Sequence, residues 1–269
     1  MTRNLSAEKR DDLSVMANYL AFCSEMLDLS SETSLPVELW REYRANLTAA
    51  LGDMPCERES LLQLAELVRR RRIPKQFPFD MIRASDYWIR FGGFDTWEQL
   101  EKFASDFAGS AVVAACCVTG VRRAGFEEAA LDFGSAILLT RKLANCVSDL
   151  KANRNFLAQE DVQRFGLDLS RVKMRQHSAE FSQFVRFTVA RIEKLYVKAS
   201  RLFAYLELDG ERSLTSLLSL HWQMLVRMKM QPECLFEETE LLKRSQIRAM
   251  KFRHAMGTEG GLPFVVDEH

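Results

Sequence analysis

Chain-breaking residues are scarce in this sequence. Six prolines and twelve glycines are spread over 269 residues, so long stretches run uninterrupted, and the alternation that marks β-strands never extends beyond a few positions. Excess charge of either sign is missing too, because 37 basic and 37 acidic side chains cancel. No global field therefore favours nucleic acid, an anionic membrane or a polyanionic substrate. The longest apolar run, Ala111 to Val118, falls far short of the roughly 20 residues that a membrane-spanning helix needs, which leaves at most peripheral membrane contact. The first twelve residues are polar and do not resemble a secretory signal. Six cysteines (Cys23, Cys56, Cys116, Cys117, Cys146 and Cys234) form no Cys-x-x-Cys pair and have no nearby histidines. They read as reduced core residues of a cytoplasmic protein.

Catalytic signatures are equally sparse. There is no phosphate-cradling glycine loop, no His-Glu-x-x-His, no Gly-x-Ser-x-Gly and no Rossmann fingerprint, so P-loop hydrolysis, zincin proteolysis and nicotinamide redox have no support. His177, His221, His254 and His269 are isolated from one another and are expected to be surface or half-buried polar residues.

What the chain does have is apolar periodicity. Nearly half of its residues, 47%, are hydrophobic, and they recur at three- and four-residue spacing. The spacing predicts helices over 7–29, capped by Ser6, and over 36–51, opened by Pro36 and stopped by Gly52. Further helices are expected over 59–72, 80–90, 97–120, 127–151, 171–207, 214–230 and 238–256, with Thr96 and Gln99 in a capping box. The stretch around Ala111 to Cys117 is apolar on all sides, which places its helix at the centre of a bundle. Residues 1–256 read as one all-α domain and 257–269 as a loose tail. The basic run Arg69 to Arg72 suits a solvated helix C-terminus. Trp88, Phe91, Phe94 and Trp97 around Gly92-Gly93 suit the packing of a helix junction.

Two segments carry a further pattern. Leu5-Ser-Ala-Glu-Lys-Arg10, followed by Tyr19-Leu-Ala-Phe-Cys23, resembles the Leu-Pro-x-x-Lys-Arg element and the Tyr-Ala-Phe-Cys-Arg helix of the squalene/phytoene synthases. Leu139-Thr140, Asp149, Arg154, Phe156-Leu157 and Phe165-Gly166 are similar to that family's second Asp-rich block, and Ala108-Gly109 matches an Ala-Gly pair between the two. The order of these elements spans nearly the whole chain. The resemblance implies an isoprenoid-synthase-type helical bundle with a central cavity, in which two prenyl diphosphates are joined head to head and Mg²⁺ bridges diphosphate and carboxylates.

Much of the implied chemistry is altered. The family's first-motif Arg and two Asp fall on Ser24, Leu27 and Ser31, with Asp28 as the nearby carboxylate. In the second motif the Gln, Asn, Arg and first Asp fall on Leu138, Arg141, Ala144 and Asn145, and the second Asp is kept as Asp149. Gly-Arg-x-Tyr becomes Asn153-Arg154-Asn155-Phe156, an aromatic hydroxyl before Ala-Gly becomes Ser105, and the family's short helix ahead of the first element has no counterpart. One carboxylate in place of four does not assemble a Mg²⁺ cluster, because this hard cation needs several oxygen ligands. No cofactor is therefore expected, and Mg²⁺ only in an active enzyme.

The resemblance then supports a non-catalytic family member, acting as a partner or scaffold for an active prenyl synthase or another isoprenoid-pathway enzyme, or in complex assembly. The runner-up is an active prenyl-diphosphate transferase with a reduced site. In that site Asp28, Arg141, Asn145, Asp149, Arg154 and Phe156 would hold the diphosphate, with Asp149 as metal ligand, and Leu27, Val112, Cys116, Ile137 and Leu138 would line the prenyl cavity. For Asp149 and Arg154 the plainer expectation is a surface ion pair. A third reading is a carrier that binds an isoprenoid without turning it over.

Overall fold

A computed structural model describes residues 5–29 and 36–237. The expected helix 238–256, the tail 257–269 and Ser31 lie outside the described residues, as does the side chain of Asp28. Among the described residues the chain forms α1 (Ala7–Leu29), α2 (Pro36–Leu51), α3 (Glu59–Arg70), α4 (Gln76–Phe91), α5 (Trp97–Ala104), α6 (Ser110–Thr119), α7 (Glu127–Ala144), α8 (Cys146–Lys151), α9 (Gln159–Arg164), α10 (Leu169–Lys173), α11 (Ala179–Ala199) and α12 (Leu208–Met230). A π-helical turn, Ser105–Gly109, joins α5 to α6, and 3-10 turns cover Ser200–Tyr205 and Pro232–Phe236. No strand occurs among the described residues; two isolated bridges, Phe94 with Ala158 and Val121 with Leu206, tie loops together.

Local chemistry sets most of the boundaries. Ser6 Oγ accepts from the Lys9 backbone N–H at 3.2 Å, and Thr96 and Gln99 form the reciprocal capping box at the start of α5. Helix α4 begins four residues ahead of expectation because Pro78 falls in its first turn, where backbone N–H groups have no intrahelical partner to lose. The expected helix 127–151 breaks at Asn145, the expected 171–207 is interrupted between α10 and α11, and α9 forms inside a stretch expected to be irregular.

The bundle is organised around α7, which packs along α11 on one side and across the π turn and α6 on the other. Glycine permits that second crossing. A Cβ on Gly134 would lie 2.5 Å from the Ala108 carbonyl carbon, and one on Gly109 would lie 2.8 Å from Leu131 Cα. Helix α1 lies over α3, α4 and α6. Its Tyr19 hydroxyl donates to the Pro78 carbonyl at 2.6 Å, and Lys9 Nζ reaches the Thr119 carbonyl at 2.7 Å and Asp209 at 2.9 Å.

The basic run that ends α3 is not merely a solvated terminus. Arg70 and Arg71 both pair with Asp12 of α1, whose side chain is only 2% exposed, and Arg71 Nη2 also lies 2.8 Å from Glu8. A carboxylate this buried persists as an anion only beside such partners. Trp97–Thr119 is long and apolar enough to cross a membrane by length and composition, yet 56% of its apolar window is buried within the bundle, as suits a central helix.

Candidate functional site

Two places in the bundle answer to the altered motifs. The first is an apolar cavity of about 210 Å³ enclosed by α1, α3, α4 and α6. It exists because α6 presents alanines there, Ala111, Ala114 and Ala115, opposite flexible methionines and leucines such as Met16, Leu20 and Met81. Exposed Ala17 on its rim brings the cavity to the surface. No charged residue contributes to the wall, and of the polar ones only Ser110 and Tyr19 take part.

None of the five expected wall residues lines this space. Val112 and Cys116 sit four residues apart on a different face of α6 from Ala111, Ala114 and Ala115, since helical side chains share a face at three- and four-residue spacing. Ile137 and Leu138 belong to α7, which adds nothing to the wall, and Leu27 lies a turn or more beyond the part of α1 that does. Leu27, Cys116 and Ile137 are instead buried in the continuous core, with Val112 and Leu138 half-buried against it.

The second place is the junction of α7 and α8. The helix breaks at Asn145, so the positions of the second Asp-rich motif diverge: Arg141 and Asn145 are exposed, while Asp149 is 6% exposed. Asp149 Oδ1 accepts from Arg154 Nη2 at 3.1 Å and Nε at 3.3 Å. Its Oδ2 lies 3.6 Å from Lys142 Nζ, on the neighbouring turn of α7. The Asp149–Arg154 pair is thus a buried one, not the surface pair expected. Lys142 completes it, and the four-residue spacing of motif positions gave no sign of that role.

Lys142 Nζ also sits 3.4 Å from the Phe156 ring centroid, a cation–π contact. Phe156 in turn stacks on Trp88 at 4.0 Å with ring planes 5° apart. Trp88 Nε1 then donates to the Leu27 carbonyl at 3.2 Å. A layer of rings, joined by Phe94 and Phe103, therefore connects the end of α1 to the α7–α8 junction. The space left beside Lys142 and Phe156 is about 10 Å³, room for one water. Of the four aromatics around Gly92-Gly93, Trp88, Phe94 and Trp97 pack as expected, whereas Phe91 is 68% exposed.

Mg²⁺ does not fit this donor set. The retained carboxylate already faces two cations, and among the described residues no three His, Cys, Asp or Glu side chains converge. His221 is buried rather than half-exposed; burial holds its pKa below the usual value of 6.5, and Nδ1 lies 2.9 Å from the Leu217 carbonyl. All six cysteines are free. Burial pushes the Cys23, Cys116 and Cys146 thiols up to about 12, which leaves them protonated and unreactive.

The sequence matches the family model described as squalene/phytoene synthase over residues 1–248. No curated protein matches it. Among solved structures it is similar to a dehydrosqualene synthase in complex with ligand (TM-score 0.79, 19% identity, 94% of this chain and 88% of that one). It is also similar to the squalene synthase HpnC from Alicyclobacillus acidocaldarius (0.70, 16%, 84% and 96%) and to YisP from Bacillus subtilis (0.61, 14%, 91% and 98%). At these identities the likeness is one of fold.

Proposed function

Because the chain belongs to the squalene/phytoene synthase family, we propose that it is a member that has given up head-to-head prenyl transfer and serves as a non-catalytic partner in isoprenoid metabolism or complex assembly. The observation that carries this reading is the engagement of Asp149 by Arg154 and Lys142. In a metal-dependent diphosphate site a carboxylate offers its lone pairs to the cation, and Arg and Lys are left to face the phosphate oxygens. Here those charges neutralise each other, and Lys142 is further drawn onto the face of Phe156.

The opposite side of the site supports the same reading. Leu27 stands where the family has a carboxylate, and the stack of Trp88 on Phe156 lies between its backbone and Lys142. A bundle can keep its packing while its site drifts, since fold and site are selected separately. The partner would be a protein of the same metabolic setting, met through the surface of the bundle.

The test is incubation of the purified chain with Mg²⁺ and farnesyl or geranylgeranyl diphosphate, beside an active family member. Neither pyrophosphate nor extractable hydrocarbon is expected. Product that forms with this chain and vanishes in Asp149→Asn would overturn the proposal and establish the reduced-site transferase.

A further inference from the structure

Helix α1 is seated differently from the rest of the bundle. Among its described side chains only Asp12, Tyr19, Cys23 and Leu27 are buried, and one of these is a carboxylate. Helix α7, by contrast, buries side chains on most of its faces, Phe133, Ile137, Leu139 and Leu143 among them. Beneath the middle of α1 lies the 210 Å³ space, so Leu13, Met16 and Leu20 face a void where a core helix would meet side chains. The contacts that such a void withholds are a direct loss of dispersion energy.

Much of what holds α1 down is polar. Asp12 pairs with Arg70 and with Arg71, whose Nε lies 2.6 Å from Oδ2, and Glu8 reaches Arg71 Nη2 at 2.8 Å. Lys9 is tied to Asp209 and the Thr119 carbonyl, Tyr19 to the Pro78 carbonyl, and the Leu27 carbonyl to Trp88. Each of these groups regains water when α1 lifts, and for a buried ion pair that hydration offsets most of the attraction given up. Buried hydrocarbon has no such exchange. A helix that rests on a void and on ties that water replaces belongs to the low-stability end of a fold.

We propose that α1 is a strap that lifts from α3, α4 and α6 as a unit while the body formed by α6, α7 and α11 stays folded, and that the Asp12–Arg70–Arg71 cluster is its latch. With α1 down, Asp12 is 2% exposed and supplies the anion against which Arg71, itself 21% exposed, is packed. Without that charge the seated state leaves Arg71 with only the exposed Glu8, whereas the lifted state loses nothing. Removing the charge therefore favours lifting, and filling the void opposes it. The inference does not depend on the loss of catalysis, since neither Asp149 nor Arg154 takes part in the seat.

Cys23 on α1 and Cys116 on α6 form a matched pair of probes. Both are 0% exposed, and burial pushes both thiols up to about 12, so each is alkylated only when its surroundings open. The experiment exposes the full chain to N-ethylmaleimide across a urea series below the unfolding transition and reads each cysteine by tandem mass spectrometry. Cys23 is expected to react at least about tenfold faster than Cys116 without urea, and with a shallower dependence on it, because a partial opening exposes less surface than global unfolding. Asp12→Asn should speed Cys23 about ten- to a hundredfold. Glu8→Gln, a milder change at a side chain 59% exposed, should speed it by up to about fivefold. Ala114→Leu should slow it about fivefold by filling the void. Equal rates and equal urea slopes for the two cysteines would overturn the proposal. So would a Cys23 rate unmoved by Asp12→Asn and Glu8→Gln, or one that Ala114→Leu leaves as it is.

Discussion

Beside α1 the bundle leaves about 210 Å³ between alanines and methionines; beside Lys142 and Phe156 it leaves about 10 Å³. The two regions sit within one continuous core and differ in what fills them. Small side chains on α6 keep the first open, and Met, with its three rotatable bonds, shapes the opposite wall without filling it. In the second, stacked rings and a paired carboxylate occupy the space. One fold therefore holds an open apolar space and, apart from it, a cluster whose charges are paired internally. Among the described residues the open space has no charged wall residue and the charges of the second motif are paired with one another, and the proposed non-catalytic role draws on the second of these.

The sharpest way to break this arrangement is to separate the helices that both regions hang from. Gly134→Val should cost about 3 kcal/mol or more, the upper range for overpacking, because its side chain would drive into the Ala108 carbonyl. Denaturant unfolding monitored by circular dichroism reads the loss, and a native-like midpoint would mean that α7 can slide relative to the π turn. Next in size, Asp149→Ala should destabilise the chain by about 3 kcal/mol, since it strands Arg154 and Lys142, both largely buried, without their anion. A loss under about 1 kcal/mol, the scale of an exposed pair, would mean that the carboxylate is not committed to those cations.

The cavity should respond in the opposite direction. Ala114→Leu, which adds hydrocarbon to an open space, should raise stability by about 1 kcal/mol, seen as a higher melting temperature. A fall would show that the wall cannot accept volume.

The smallest effect concerns His221, whose burial holds its pKa below 6.5. As pH falls below that value the unfolded chain takes up the proton before the folded one, so stability is complete above it and declines with acidification towards the folded pKa. Unfolding free energies at pH 7.5 and 5.5 should differ more in the wild type than in His221→Gln. Equal differences would assign the acid sensitivity elsewhere.

Much of this architecture was legible in the residues. The capping chemistry of Ser6, Thr96 and Gln99, the position of Pro36 and the all-round apolar α6 rest on local rules of spacing and hydrogen bonding, and they fix helices wherever the chain lies. The likeness to the squalene/phytoene synthases was legible as well, in the order of Lys9-Arg10, Tyr19, Ala108-Gly109, Asp149 and Arg154. Harder to read were the π turn at Ser105–Gly109, the break at Asn145 and the early start of α4. The π turn lies where α7 crosses closest, at Gly109 and Gly134, and α4 starts early because its first turn tolerates Pro78. Arg70 and Arg71 looked like a helix end because their partner, Asp12, lies about sixty residues away.

The sequence by itself determined the all-α class, most of the helices and the likeness to the family, because these depend on residue identity and short-range periodicity. Only the tertiary structure decided that Asp149 is neutralised by Lys142, that Trp88 and Phe156 bridge the two motif regions, and that the open space lies against Ala111, Ala114 and Ala115 instead of Val112, Cys116, Ile137 and Leu138. Which face of a helix meets which neighbour, and how much volume remains between them, follows from the simultaneous packing of many side chains distant in sequence, and no local pattern encodes it.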